Sequence, residues 1–340
     1  MSSNKIKNCP GTLAIGHKTY SNTCLRNVFN NKKVSHILPY SSVSDNVESN
    51  QLFIENRKRI SISGVQEKLS LLLEKNKLRL TAKQEQGTYI LKPVPRDLIN
   101  VDQVPANEHL SMQIARQVYK ISTAENALVF FKDATPAYIT KRFDIRKDGS
   151  KYGIEDFASL AGKSKESAGD AFKYDYSYEE LANLIKKYAP AWRIEIEKFF
   201  SLLLFNYLIN NGDAHLKNFS LMETESGDYI LSPAYDLVNT GLHIDDSSMA
   251  LEEGLFANDY ETQSYKMNGY YSYDDFFEFA IKIGIAKARV IKIIDKYRVE
   301  YKLLEDLVSR SFLNKHSQHI YLDLYKQRLK ALNYSFEKLI

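Results

Sequence analysis

Cysteine, glycine and proline are all scarce in this chain, which holds 2, 14 and 8 of them among 340 residues. The two cysteines, Cys9 and Cys24, lack CxxC spacing, which excludes a disulfide-rich secreted scaffold and favours a reducing compartment. A zinc site would need additional ligands such as His17. Glycine is rare and tyrosine is abundant, at 23 residues, and this composition argues against long disordered tails. We therefore expect a chain that is folded over most of its length.

Long apolar runs are also missing. The nearest candidate, residues 199–209, falls short of the ~18 residues that a membrane span needs. Residues 1–10 are polar and lack the apolar segment of a signal peptide, so we expect a cytoplasmic protein without membrane contacts. Lys+Arg 46 against Asp+Glu 42 gives a net charge of +4, and so small a surplus does not require direct nucleic-acid binding.

The first ~145 residues predict a mixed structure with several strands and one prominent helix. Residues 20–29 are compatible with a short helix, and Asn107 is the expected N-cap of a helix over 108–119. Strand-like runs flank a polar turn at 75–77, and others occupy 87–93, 127–131 and 137–143.

From residue 178 onward the pattern becomes mainly helical. We expect helices over 179–188, 194–210 and much of 273–340, and strands over 218–222 and 229–231. The second helix is apolar on all sides, which predicts burial, and Gly212 is its expected left-handed cap. Residues 162–177 are polar and are predicted to form a mobile loop. A strand-rich part followed by a helical part predicts an α+β fold of two lobes, divided near a turn at 147–150.

The most informative motif joins Asp213, Asn218 five positions later, and Asp236 beyond a short strand and turn. This is the layout of a kinase catalytic loop and metal site, where the first Asp orients an attacking hydroxyl and the other two residues bind Mg²⁺. His215 and Lys217 are placed to touch phosphate or to support the loop. Each residue of the motif also has a purely structural explanation, as a loop cap or a turn residue bonding its own backbone.

Lys92 lies at the end of an apolar strand, where its ammonium can pair with the phosphates of ATP. The alternative is a lysine that extends from an edge strand into solvent. Glu108, in the following helix, is a candidate ion-pair partner. Residues 61–68 form neither a GxGxxG nor a Walker A motif, but their small side chains and backbone N–H groups can cover phosphates.

Taken in order, these segments resemble the HipA family of bacterial serine/threonine kinase toxins over about residues 59–330. Residues 107–108, 142–144, 155–157 and 233–236 contribute to the resemblance. The resemblance implies a protein-kinase-like α+β fold with an N-terminal extension (1–58), a strand-rich N-lobe (59–147) and a helical C-lobe (148–340).

The resemblance also implies ATP and Mg²⁺ as cofactors and assigns a role to each matching residue. Asp213 matches the catalytic aspartate, Asn218 and Asp236 match the magnesium ligands, and Lys92 matches the lysine that binds the ATP phosphates. Ser61 or Ser63 is the expected autophosphorylation site, whose modification silences the kinase. The remaining residues expected at the nucleotide are Ser63, Gly64, Val65, Gln66, Glu67, Lys68, Lys141, Arg142, Phe143, His215, Lys217 and Tyr235.

The Ser-Ile-Ser-Gly sequence at 61–64 and the short region before it are similar to the HipT branch of the family. The implied partners are a HipB-like DNA-binding antitoxin, a small HipS-like protein, or both. The implied substrate is a translation component, namely an aminoacyl-tRNA synthetase. Two alternatives stay open: a small-molecule kinase with the same core motif, and a pseudokinase acting as a regulatory subunit, against which the intact motif argues.

Overall fold

A five-stranded antiparallel sheet organises the first part of the chain. The computed structural model of the protein describes residues 6–42, 67–95, 98–169 and 171–336. The sheet has the strand order β2-β1-β3-β5-β4. Lys75 and Asn76 both have positive φ and close the first hairpin, at the turn that the sequence predicts. The strands are β1 (Leu69–Glu74), β2 (Lys77–Leu80), β3 (Tyr89–Pro93), β4 (Asn126–Phe130) and β5 (Pro136–Lys141).

The N-terminal segment completes the core of this sheet. Helix α1 (Asn22–Phe29) lies within the predicted region and starts at Ser21, whose hydroxyl accepts a hydrogen bond from the Cys24 N–H. Buried side chains of this segment, including Phe29, pack in one apolar cluster with Tyr89 and other sheet residues. Both cysteines are free and buried. Residues 6–42 are therefore part of the body that carries the sheet.

Helix α2 (Val104–Gln117) starts earlier than the sequence pattern suggests. Asn107 was expected as the N-cap, but it lies inside the helix, which starts after Gln103 with Pro105 in its first turn. Proline suits that turn because its φ is fixed near the helical value and it needs no N–H acceptor. The Asn107 amide instead donates to the Asn239 carbonyl at 2.8 Å, a contact between distant parts of the chain.

The second part is mainly helical, and α6 is its central element. This helix is buried along most of its length and contacts α5, α9 and α11. The segment predicted as a loop over 162–177 contains the one-turn helix α4. The helices are α3 (Phe157–Leu160), α4 (Lys165–Ala168), α5 (Tyr178–Tyr188), α6 (Trp192–Leu208), α7 (Gln263–Asn268), α8 (Tyr273–Lys282), α9 (Lys287–Tyr297), α10 (Lys302–Arg310) and α11 (Lys315–Asn333). In the part of the chain that the structure describes, no helix has the length and apolar character to cross a membrane.

A small second sheet connects α6 to the region of the motif. Its strands β6 (Ile154–Asp156), β7 (Ser220–Glu223) and β8 (Tyr229–Leu231) are antiparallel in that order. Asn218 precedes β7 in a 3₁₀ turn instead of starting the strand. The left-handed residue after α6 is Asn210, with φ 55°, and not Gly212 as predicted. Asparagine tolerates that conformation because its short polar side chain bonds locally.

Candidate active site

One cavity of about 700 Å³ collects most of the residues that the sequence motifs single out. The sheet lines it through β3 and β5, and the loops around β7 and β8 line it from the other part of the chain. The predicted site residues in its wall are Lys68, Lys92, Lys141, Arg142, Phe143, Asp213, His215, Lys217, Asn218, Tyr235 and Asp236.

The loop expected to cover the phosphates falls mostly outside the described residues. Ser61, Ser63, Gly64, Val65 and Gln66 all lie there, so their assignment stays a prediction. Glu67 is described but is not part of the cavity wall formed by the described residues, whereas its neighbour Lys68 is.

Lys92 is the centre of a buried ion-pair network. It lies on β3 opposite Tyr138 of β5, and its side chain crosses into the cavity. Its ammonium donates to the Glu108 carboxylate at 2.6 Å and also to the Asp236 carboxylate. The Lys68 ammonium lies 3.8 Å from the second Asp236 oxygen. Lys92 and Glu108 are each 4% exposed, so their charges are held away from bulk water.

This network shifts the pKa values of its members in opposite directions. Burial alone lowers the pKa of Lys92, but the Asp236 and Glu108 carboxylates outweigh it, so the pKa lies above its ordinary value. Burial raises the pKa of Glu108 to about 7, although Lys92 opposes this change. Burial also acts to raise the pKa of Asp236, but Lys92 and Lys68 lower it below its usual range. The network therefore keeps a cation and an ionised Asp236 side by side.

Asp213 and Asn218 lie on one short loop between α6 and β7. The Asp213 side chain is 45% exposed at the cavity, which leaves it accessible to a ligand. One Asp213 oxygen accepts a hydrogen bond from the Tyr174 hydroxyl at 2.7 Å. The Asn218 amide oxygen accepts from the His215 N–H at 3.3 Å and so holds the loop closed. Asp236 faces the same cavity with φ 55°, a left-handed conformation that aspartate, like asparagine, adopts more readily than most residues.

His215 and Lys217 flank the cavity in different ways. His215 is buried, and its Nε2 lies 3.8 Å from the same Asp213 oxygen that Tyr174 contacts. Burial lowers the pKa of His215 to about 4, so the ring is neutral near pH 7. The Lys217 ammonium lines the cavity wall and lies 3.8 Å from the Asp156 carboxylate.

Tyr235 connects the two aspartate-bearing loops. Its hydroxyl donates to the Lys217 carbonyl at 3.0 Å and also contacts the Ser220 hydroxyl at the start of β7. Its ring stacks on Phe143, with centroids 5.9 Å apart. Because Tyr235 immediately precedes Asp236, these contacts fix that carboxylate relative to the loop that carries Asp213.

The segment at the end of β5 supplies the far wall of the cavity. The Arg142 N–H donates to the Thr88 carbonyl at 2.9 Å, and its guanidinium pairs with Asp144. The Lys141 ammonium donates to the Asn30 amide oxygen at 2.6 Å, after the end of α1. Both cations already have partners within the protein, so the segment offers its backbone and the Phe143 ring to a ligand.

Sequence reasoning missed several residues that line the cavity. Lys173 and Tyr174 come from the polar stretch that was expected to be a mobile loop, and nothing in that composition indicated a site. Thr240 and His243 follow Asp236 in a 3₁₀ turn and its cap, and also lacked a local signal. Apolar side chains complete the wall, at Ile90, Leu98, Val104, Ile154 and Val238.

The sheet, the helical part and the cavity between them define a two-lobed, kinase-like fold. The chain matches the model of the HipA-like C-terminal domain over residues 60–302 and belongs to that family. A Haemophilus influenzae protein named "Putative kinase" is 30% identical over 336 residues, covering 92% of each chain. A Sinorhizobium fredii protein of the same description, Y4dM, is 31% identical over 209 residues, covering 57% of this chain and 48% of that protein.

Two solved structures share the fold at low sequence identity. HipA from the Shewanella oneidensis MR-1 toxin–antitoxin complex of HipA, HipB and operator DNA aligns with a TM-score of 0.59 at 21% identity. That alignment covers 86% of this chain and 71% of HipA. The proinflammatory kinase CtkA of Helicobacter pylori aligns with a TM-score of 0.50 at 15% identity, covering 77% of this chain and 93% of CtkA. These likenesses support the α+β, two-lobed, kinase-like fold that the sequence predicts.

Proposed function

We propose that this protein is an ATP-dependent serine/threonine protein kinase and acts as the toxin of a HipA-type toxin–antitoxin system. The observation that carries the proposal is the single cavity in which Lys92, Asp213, Asn218 and Asp236 meet. These residues come from three separate parts of the chain, and each has the chemical character that phosphoryl transfer requires at its position.

In this proposal the nucleotide binds with its phosphates at Lys92. The Lys92 cation is buried and held by Glu108, so it meets a phosphate at low effective dielectric and with little reorganisation. The adenine ring lies toward Phe143, Ile90 and Ile154, which give the cavity apolar walls. Binding requires Asp236 to release the Lys92 ammonium to the phosphates, and the freed carboxylate would then be available to hold Mg²⁺.

The acceptor hydroxyl reaches Asp213. This carboxylate is accessible at the cavity, and it orients the hydroxyl toward the γ-phosphate and accepts its hydrogen bond. Lys217, on the same loop, adds a positive charge close to the path of the transferring group. Positioning and charge stabilisation supply most of the rate acceleration in reactions of this class.

The donor set also fits Mg²⁺. Asn218 and Asp236 present an amide oxygen and a carboxylate to one cavity, and magnesium prefers oxygen ligands with one or two carboxylates plus substrate phosphates. Within the described ranges no three His, Cys, Asp or Glu side chains cluster as a metal site, and a magnesium ion shared with ATP needs no such cluster. When bound, the ion would neutralise charge on the phosphates.

Family membership supports the finer parts of the proposal. A relative of the HipA type occurs in a complex with HipB and operator DNA, and we propose a HipB-like antitoxin as a partner here. The Ser-Ile-Ser-Gly sequence supports a HipT-like branch with a separate HipS-like protein. The proposed substrate is an aminoacyl-tRNA synthetase, whose phosphorylation would arrest translation.

A labelling experiment tests the proposal. Wild-type protein is incubated with γ-labelled ATP, Mg²⁺ and a bacterial lysate, and the labelled species are separated and identified. We expect label in one or a few proteins with wild type, none with Asp213→Gln, and wild-type labelling with the exposed control Asp228→Asn. Label found only in small molecules would show that the protein is a small-molecule kinase and not a protein kinase. Absence of transfer by wild type, with intact ATP binding, would favour a regulatory pseudokinase.

A further inference from the structure

Tyr174 reaches the catalytic loop from a segment that the sequence motifs do not cover. Its hydroxyl donates to Asp213 Oδ1 at 2.7 Å. Asp213 is nearly half exposed, so without a partner its carboxylate would be free to rotate between solvent and cavity. A hydrogen bond to an ionised group is among the stronger ones that a side chain makes, and it selects one carboxylate orientation.

The backbone around Tyr174 is fixed on two sides. The Lys173 carbonyl accepts from the Leu216 N–H at 3.1 Å, which ties the segment to the loop between Asp213 and Asn218. The Tyr174 carbonyl accepts from the Glu252 N–H at 2.9 Å. The backbone that carries Tyr174 is thus hydrogen-bonded to the same loop that the Tyr174 hydroxyl contacts, which suits a positioning role.

The ring is fixed as well. It meets the His215 ring edge to face, with centroids 5.2 Å apart, and the Lys173 ammonium lies 4.8 Å from its centroid. His215 itself lies 3.8 Å from Asp213 Oδ1. Tyr174 and His215 therefore contact one oxygen of the carboxylate, while Oδ2 accepts no hydrogen bond from the residues that the structure describes.

We propose that Tyr174 is a positioning residue for phosphoryl transfer, which fixes Asp213 through Oδ1 so that Oδ2 faces the acceptor hydroxyl. The inference rests on the proposed kinase function. A tyrosine hydroxyl has a single proton, and here that proton is directed at Asp213, so Tyr174 is the donor and Asp213 is the acceptor. Burial and the adjacent Asp213 raise the pKa of Tyr174, which keeps the hydroxyl protonated at physiological pH.

Tyr174→Phe removes the hydroxyl and retains the ring against His215. Tyr176→Phe is the matched control, because Tyr176 lies two residues further on with its ring near Lys163, outside the cavity wall. Transfer of label from γ-³²P-ATP to a library of serine and threonine peptides gives kcat and the KM for ATP. We expect Tyr174→Phe to lower kcat by about 10- to 100-fold, as for a lost hydrogen bond to a charged group, with KM for ATP within about twofold.

A crystal structure of Tyr174→Phe supplies a readout that does not depend on activity. We expect the Asp213 carboxylate to occupy a different or a second orientation, with the backbone of the loop unchanged. An unchanged Asp213 orientation, or a kcat equal to that of wild type, overturns the inference. A higher kcat also overturns it, because the hydroxyl would then occupy the place of the acceptor. If wild type transfers no phosphate, the proposed function fails and the inference fails with it, whereas an active wild type beside an unaffected Tyr174→Phe variant overturns the inference alone.

Discussion

The Lys92 ammonium lies 2.6 Å from the Glu108 carboxylate, and both side chains are 4% exposed. The same ammonium also contacts Asp236, so one buried cation serves two carboxylates from distant parts of the chain. Burying such a group is costly unless every charge has a partner. The protein keeps this arrangement at the cavity where the proposed nucleotide phosphates bind, which couples the ion-pair network to both stability and ligand binding.

Glu108→Gln is expected to change how stability depends on pH. The Glu108 pKa rises from 4.5 to about 7 on folding, so the folded chain holds this proton more tightly than the unfolded chain. The destabilising effect of ionising Glu108 is therefore absent below about pH 4.5, grows as the pH rises, and is complete above about pH 7. The glutamine variant lacks this dependence.

Urea unfolding at pH 5 and pH 8 without nucleotide measures the difference. We expect wild type to lose about 2 to 3 kcal/mol of unfolding free energy relative to Glu108→Gln over this range. The control is Glu155→Gln, at an exposed position on β6. Parallel stability profiles for wild type and Glu108→Gln would show that Glu108 has no raised pKa.

Asp236→Asn distinguishes the contribution of Mg²⁺ to nucleotide binding from that of the nucleotide alone. The substitution removes a proposed Mg²⁺ ligand and one of the two carboxylates at Lys92. We expect affinity for a non-hydrolysable ATP analogue, measured by calorimetry, to fall at least about tenfold with Mg²⁺. In EDTA it should stay the same or rise, because the variant no longer competes with the phosphates for Lys92. The exposed control Asp228→Asn should bind as wild type does. An equal loss with and without Mg²⁺ would argue against Asp236 as the metal ligand.

Much of the fold and of the cavity could be predicted because the signals are local. Strand-length apolar runs, a polar turn and helical periodicity gave β1 to β5 and the long helices, with ends shifted by a few residues. Asp213, Asn218 and Asp236 lie within 24 positions of each other on loops beside short strands, and the structure places all three at one cavity with Lys92. Their catalytic and metal-binding roles remain predictions.

Long-range contacts set the features that the sequence did not indicate. Asn107 has the side chain of an N-cap, but its amide bonds the Asn239 carbonyl, and Pro105 starts the helix earlier. Tyr174 belongs to a polar stretch whose composition is typical of a loop, yet the fold brings its hydroxyl to Asp213. Gly212 was expected to be left-handed, whereas Asn210 adopts that conformation. None of these outcomes follows from neighbouring residues alone.

Phosphorylation of Ser61 or Ser63 is expected to switch the protein off. Both residues lie outside the described part of the chain, so the prediction rests on the family resemblance and on charge. A phosphoryl group adds about −1.5 to −2 charges, which would repel ATP phosphates from the loop. Intact-mass measurement should show added phosphate in wild type and none in Asp213→Gln. The double alanine variant should stay active, and full activity of the double aspartate variant would refute this switch.

Gly212→Ala tests how closely the loop that carries Asp213 packs against its neighbours. The Gly212 N–H donates to the Thr240 hydroxyl at 2.9 Å, which places the residue against the 3₁₀ turn after Asp236. An added Cβ would lie 2.2 Å from an Asp246 oxygen and 2.6 Å from the Ser247 carbonyl. The carboxylate can rotate away but the backbone carbonyl cannot, so the loop that carries Asp213 must move.

We expect Gly212→Ala to lower the unfolding free energy by about 1 to 3 kcal/mol, as overpacking does. We also expect it to lower kcat by up to about 100-fold, because a shift near 1 Å misplaces Asp213. The control is Gly153→Ala, whose Cβ would meet the movable Tyr229 hydroxyl at 3.0 Å. Unfolding curves and transfer rates for both variants provide the measurement. A Gly212→Ala protein with wild-type stability and rate would mean that the loop with Asp213 has room at this position, and the close packing against Ser247 would then be ruled out.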